Sequence, residues 1–230
     1  MSPENLSGWT PRPRPRRRVF EGRRVRLEPL DADAHGDALY AVSTMADAGE
    51  RFRWLAEQPP ADRRSFQPWL ERVQASDDPL YFAVIDLASG RVAGRQTLMR
   101  IDAGNGVIEI GAILWSALMA GRPAATEAFF LFAAHVFDDL GYRRLEWKCD
   151  YDNAPSKRAA LRFGFTFEGV FRQHMVVKGK NRDTAWFAMI DRDWPLVRAA
   201  LAAWLDPGNF DAEGRQIRRL GDVRASLASR

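Results

Sequence analysis

Apolar positions between residues 80 and 115 fall in three runs parted by turn-forming glycines. Leu80–Asp86 (LYFAVID), Arg91–Ile101 (RVAGRQTLMRI) and Val107–Trp115 (VIEIGAILW) are three β-rich runs, separated by Ser89-Gly90 and by the glycine turn Gly104–Gly106. That spacing predicts three meandering antiparallel strands. Upstream, Val25–Leu30 reads as a strand, and DADAHGDALYAVS follows as a helix with acids at its start and Ala38, Leu39 and Val42 on one face. A polar link through Gln58, Pro59 and Pro60 leads to a short helix at SFQPWLERVQ. Downstream, Pro123–Leu140 is apolar at nearly every position, as in a helix buried on most sides, and Gly141 is its natural stop.

The remaining elements follow the same logic. In Arg143–Cys149 the residues Leu145, Trp147 and Cys149 share one strand face, and SKRAALRFGF forms a short helix stopped at Gly164. Gly169–Val177 and Thr184–Ile190 flank the turn-forming KGKNRD, and Trp194–Leu205 is a terminal helix. Strands that pair antiparallel first and cross over later predict one α+β domain, with a mixed sheet and helices on both faces. There is no internal repeat. The single domain is expected over residues 21–206, after a disordered basic Pro/Arg-rich tail (1–20) and before a basic C-terminal extension (207–230).

Charge refines this picture. The chain has 230 residues and a net charge of +4, but the basicity is local. Residues 1–26 hold eight arginines and two glutamates, and residues 214–230 hold five arginines and one aspartate. The stretch between them carries a net −6. PRPRPRRR, Pro11 to Arg18, lacks donors for helix or sheet and reads as a solvated arm, with weak attraction to RNA or ribosomes as its alternative use. An acidic body favours a cationic acceptor. The single Cys149 excludes an internal disulfide framework, and three scattered histidines offer no cluster at zinc spacing. No apolar run reaches membrane-spanning length and no signal-peptide block is present, so a cytoplasmic protein without membrane contact, monomer or homodimer, is expected.

Two stretches can carry chemistry. In GRPAATEAFFLF, from Gly121, a small-residue turn enters the long helix, and the amides of Gly121, Arg122, Ala124 and Ala125 suit a pyrophosphate. Pro123, which has no N–H, fits equally well as an ordinary first helical residue. In DNAPSKRAALRFGF, Asn153 and Ser156 stand where a strand hands over to a helix, as caps or as ligand contacts. Both junctions fall at the carboxyl ends of neighbouring strands, where α/β ligands bind.

The order WSALMAGRPAATEAFFLF, then N-x-P-S-x-x-A…GF-x-x-E-G from Asn153 to Gly169, then a late D-x-x-W-F before DWP, resembles the GNAT superfamily of N-acetyltransferases. More narrowly it is similar to the Rim-type branch, which acetylates ribosomal-protein N-termini, and to its small-molecule relatives. The resemblance covers about Arg24 to Leu205. It implies a mostly antiparallel central sheet with a splayed strand pair forming an acetyl-CoA cleft, and direct acetyl transfer to an amine with no metal.

Carried over, the cofactor loop falls on Ala120-Gly121-Arg122-Pro123-Ala124-Ala125, departing from the family pattern at Ala120 and Pro123. Asn153 and Ser156 match the positions at the pantetheine arm and thioester. The usual tyrosine acid falls on Ala160 and is missing, leaving Ser156 or water to protonate the thiolate. Glu109 is the candidate base, acting through water; otherwise it faces solvent or pairs with an arginine. Backbone groups near Ile113–Trp115 are expected to line the cofactor and steady the oxyanion. Asp183 reads as a turn partner, His174 as a packed strand residue, and Trp147, Trp186, Phe165 and Phe167 as core. The alternative function is a non-catalytic acyl-CoA-binding or ribosome/RNA-associated module with a degenerate cofactor loop.

Overall fold

The computed structural model describes residues 5–229. Eight strands form one sheet: β1 (Phe20–Glu21), β2 (Val25–Pro29), β3 (Leu80–Asp86), β4 (Arg91–Asp102), β5 (Val107–Trp115), β6 (Arg144–Asp150), β7 (Thr166–Val177) and β8 (Lys180–Ile190). Their spatial order is β1-β2-β3-β4-β5-β6-β8-β7, antiparallel throughout except at β5–β6. The predicted mixed sheet is therefore present.

Helices cover both faces. On one lie α1 (Ala32–Ser43), α2 (Ala48–Phe52) and α3 (Arg63–Ala75). Asp31 starts α1 by accepting from the amides of Asp33 and Ala34, and Asp62 and Ser65 cap α3 reciprocally. The other face carries α4 (Pro123–Ala134), α5 (Ala154–Phe163) and α6 (Trp194–Leu205), with α7 (Leu220–Ala228) packed on α6. Strand alternation sorts the residues: Phe82 and Val84 enter the large core under α4, whereas Tyr81 meets Leu39 and Leu70 under α1 and α3.

Three local features differ from the periodicity. The apolar run after Pro123 does not stay α-helical to Leu140, because His135–Asp139 forms a π-turn before Gly141. β5 carries a bulge: Arg95 pairs with Leu114 and Thr97 with Gly111, so Gln96 opposes both Ala112, at φ 47°, and Ile113. The arginine-rich C-terminus hides α7, whose Leu220 and Val223 are buried. Among the predicted core aromatics, Trp147 and Phe165 are buried, but Phe167 lies at the sheet edge, 47% exposed against Phe187.

The expectation of a disordered arm is corrected for residues 5–19. They form no helix or strand, yet their polar groups bond to the body. Trp9 Nε1 donates to Gly104 O at 2.7 Å, the Arg12 amide to Ala103 O at 2.9 Å, and Arg14 to Ile101 O at 3.1 Å. Arg18 stacks over Phe20 and pairs with Asp139 beside the buried His135. An indole N–H, a backbone amide and one guanidinium thus meet the carbonyls of Gly104, Ala103 and Ile101, in and beside the β4–β5 turn. Residues 1–4 of the arm and Arg230 lie outside the described residues. Among the described residues no helix is long and apolar enough to cross a membrane, and no three His, Cys, Asp or Glu side chains cluster as metal ligands.

Candidate active site

The site begins where two strands part. β5 and β6 pair in parallel at only three positions, ending at Glu109 opposite Glu146. Beyond Glu109 the bulge turns β5 away, and Ala112 and Ile113 have no register partner on β4. Two side chains hold the bulge: Thr97 Oγ1 donates to Gly111 O at 2.8 Å, and the buried Arg95 donates to Ala112 O at 3.1 Å. Arg95 also reaches Glu57 at 2.7 Å and lies over the Trp69 ring, which fixes the loop after α2 above the opening.

The opening is a cleft of about 540 Å³ that brings together Glu109, Ile113, Asn153 and Ser156. Glu109 is neither solvent-facing nor alone: it is 5% exposed and sits 3.0 Å from both Lys148 Nζ and Arg100 Nε. Lys148 also contacts Glu146 at 2.7 Å and lies 3.7 Å above the Trp186 ring. Burial pushes the Glu109 carboxyl above its usual range, while Lys148 and Arg100 pull it down. The net direction is upward, which makes the carboxylate a better proton acceptor.

Ser156 Oγ accepts from Trp147 Nε1 at 2.9 Å and also contacts the buried Cys149 thiol, whose pKa burial raises. Asn153 caps α5 by accepting from the Ser156 amide at 3.1 Å, so its side-chain oxygen is engaged. Ala160 is fully buried. A tyrosine at that position of α5 would meet the core. Asp183 holds the β7–β8 turn, accepting from the Gln173 amide and Asn181, as the sequence indicates. His174 bonds Thr184 Oγ1 at 2.9 Å, and Lys178 at the hairpin end donates to Phe52 O, joining the hairpin to α2.

The second part of the predicted constellation lies in a separate pocket of about 640 Å³, lined by Trp115, Gly121, Arg122 and Ala125. Ala124 is buried and lines neither opening. The four-amide cradle is corrected here. The Arg122 amide turns back to Met119 O at 2.9 Å, and the Ala125 amide to Arg122 O at 3.1 Å. The amides of Gly121 and Ala124 have no backbone acceptor among the described residues. Gly121 has a φ of 74°, which favours glycine in this turn.

Sequence reading missed the opposite wall. Arg162 of α5 and Arg215 and Arg219 of the C-terminal segment line the same pocket. Arg162 donates to Thr126 Oγ1 and stacks over Trp204. Arg215 is taken by Asp211 and Glu213, whereas Arg122, Arg162 and Arg219 make no ion pair among the described residues. Three uncompensated guanidiniums at a helix N-terminus form a place for a polyanion. The clue was the Arg-rich segment at 215–219, whose charge reads as a tail until its backbone is seen to return.

A parallel strand pair thus parts over a buried glutamate, with an arginine-lined pocket at the start of the following helix. Residues 24–166 match the family described as Acetyltransferase (GNAT) domain, and the chain belongs to that family of acetyltransferase enzymes. It is similar to a GCN5-related N-acetyltransferase structure from Brucella melitensis, at 63% identity and a TM-score of 0.95, covering 96% of this chain and 100% of that one. YdaF of Bacillus subtilis (strain 168), named provisionally as a ribosomal N-acetyltransferase, is 28% identical over 174 residues, 73% of this chain and 90% of YdaF. The uncharacterized N-acetyltransferase p20 of Bacillus licheniformis is 29% identical over 117 residues, 49% of this chain and 63% of p20.

Proposed function

We propose that the protein is an acetyl-CoA-dependent N-acetyltransferase acting on a primary amine, a peptide N-terminus or a small amine. The observation that carries this is Glu109, a buried carboxylate of raised pKa at the point where β5 and β6 separate, in one cleft with Ser156. Acetyl-CoA, when bound, supplies the acetyl group as a thioester. The free Gly121 amide and three arginines without ion pairs fit its phosphates and offset the donor that Pro123 lacks. Arg122, Arg162 and Arg219, with the Gly121 amide, are the residues that would hold the nucleotide end. Backbone groups of Ile113 and Trp115 would line its arm, with Asn153 and Ser156 beyond.

Glu109 accepts the proton of the incoming ammonium, directly or through water, which leaves a neutral amine. Lys148 and Arg100 keep the carboxylate in place. The Ser156 hydroxyl, oriented by Trp147, would give its proton to the departing thiolate. The non-catalytic RNA-associated alternative loses one support, since Arg14, Arg17 and Arg18 bond the chain itself.

Calorimetric titration with acetyl-CoA, followed by thiol release over an amine panel, tests the reading. Binding together with amine-dependent thiol release is expected. Binding with no release on any peptide or small amine would sink it.

A further inference from the structure

The cleft around Glu109 carries more cationic side chains than its use in proton transfer requires. Lys148 and Arg100 serve Glu109, as described, but Arg51, Arg72 and Arg182 line the same opening. Arg182 makes no ion pair among the described residues, and its Nε is buried without a hydrogen-bond partner. Arg51 donates through Nη2 to Val42 O and Asp47, yet its Nε and Nη1 are buried and unpartnered. Arg72, at the rim on α3, makes no ion pair among the described residues. Opposing carboxylates are few: Glu57 is taken by Arg95, and Glu109 by Lys148 and Arg100. Asp150 is the remaining acid of the lining.

Buried guanidinium N–H groups without acceptors are rare and costly, because water no longer solvates them and nothing replaces it. Two such arginines, one on β8 and one on α2, line one cleft. Asp47 satisfies Arg51 only in part, and Arg182 has no carboxylate partner among the described residues. An anion entering the cleft would supply acceptors that the chain does not. The volume of the cleft is that of a small-molecule site. The net acidity of the chain body is therefore a poor guide, since the lining itself is cationic.

Resting on the acetyltransferase reading, we infer that the acceptor is a small amine bearing an anionic group, carboxylate or phosphate, held by Arg51 and Arg182 with Arg72 at the entrance. The amine then lies toward Glu109 and the anion toward the outer part of the cleft. Plain polyamines lack the group these arginines need.

The test is binding calorimetry on the CoA-loaded full chain with matched pairs: an amino acid against its amide, and phosphoethanolamine against ethanolamine. Thiol release is measured in parallel with acetyl-CoA. The anionic member of at least one pair is expected to bind about tenfold or more tightly, since a charge-assisted hydrogen bond is worth that much. Which pair shows it separates carboxylate from phosphate. In Arg182→Gln and Arg51→Gln the anionic-to-neutral ratio should collapse toward one, with melting temperature monitored to confirm folding. Equal binding within both pairs, tighter binding of spermidine, or an unchanged ratio in both variants overturns the inference. An anion preference in binding without any thiol release would leave the inference standing and refute the acetyltransferase reading instead.

Discussion

Glu127, in the first turns of α4, is a buried carboxylate with no part in the chemistry, and its removal should be among the most damaging single changes in the chain. It is 5% exposed and accepts three backbone amides: Arg23 at 3.1 Å, Arg24 at 2.6 Å and Val25 at 2.9 Å. It thereby ties the cofactor helix to the β1–β2 turn, and Gly22 is packed against it so closely that a Cβ would lie 2.5 Å from its Oε2. In Glu127→Ala the Val25 amide, on a fully buried residue, is left without acceptor or water, at about 1–3 kcal/mol. The Arg23 and Arg24 amides are only partly buried and can turn to water, so each loses about 0.5–1.5 kcal/mol. The total is about 2–6 kcal/mol, or roughly 4–24 °C in melting temperature for a chain of this size. Glu127→Gln, which keeps one acceptor oxygen, should fall between. Urea and thermal unfolding followed by circular dichroism measure both. An alanine variant within about 1 kcal/mol of wild type, with an unchanged urea dependence, would show that these hydrogen bonds are exchanged for water without loss.

Glu109→Gln should lower kcat/KM by about 10²–10⁴, the range for a general base, without lowering the melting temperature at pH 8. Its folded pKa is raised, so the stability tied to its protonated form is lost as pH rises from its usual value of 4.5 through the folded value. The glutamine variant should lack that alkaline loss, which thermal scans across pH would show. His135 behaves oppositely: burial and Arg18 hold its pKa below the usual 6.5, despite Asp139, so the stability it contributes is present above that value and lost as pH falls through the folded one. Protease cleavage of residues 5–19 should accelerate between pH 7 and pH 5, and His135→Gln should flatten that dependence. In the phosphate pocket, Arg162→Gln with Arg219→Gln should weaken acetyl-CoA binding about tenfold or more, with a shallower salt dependence in calorimetry, while unfolding stays near wild type.

The long periodic elements were legible because one signal dominated each. Pro123 and Gly141 bracket the buried helix, and the glycine turn at Gly104–Gly106 separates two β-rich runs. Trp194–Leu205 matches its helix at both ends. Where two signals compete, pattern reading stops short. The β5 bulge is invisible because VIEIGAILW reads as one continuous β-rich run, and only the jump in register from Thr97–Gly111 to Arg95–Leu114 shows the extra residue. The π-turn keeps the helical apolar pattern while changing its hydrogen bonds. In the site, Glu109, Asn153 and Ser156 stood out by residue type and position. Lys148 and Arg182 did not, because a cation on a strand reads as a solvated face until the neighbouring strand fails to cover it. The basic termini misled for a related reason: charge density says nothing about where a backbone returns, and both segments return to the body.

The three-residue pairing of β5 with β6 also has a mechanical consequence. β6 and β8 are matched over seven positions, from Arg144–Ile190 to Asp150–Thr184. The sheet is thus two plates, β1–β5 and β6–β8, joined along a short seam at Val107–Glu109 and cross-tied there by Lys148. A ligand that wedges the plates apart would strain this seam and the Lys178–Phe52 tie before the wider ladders on either side.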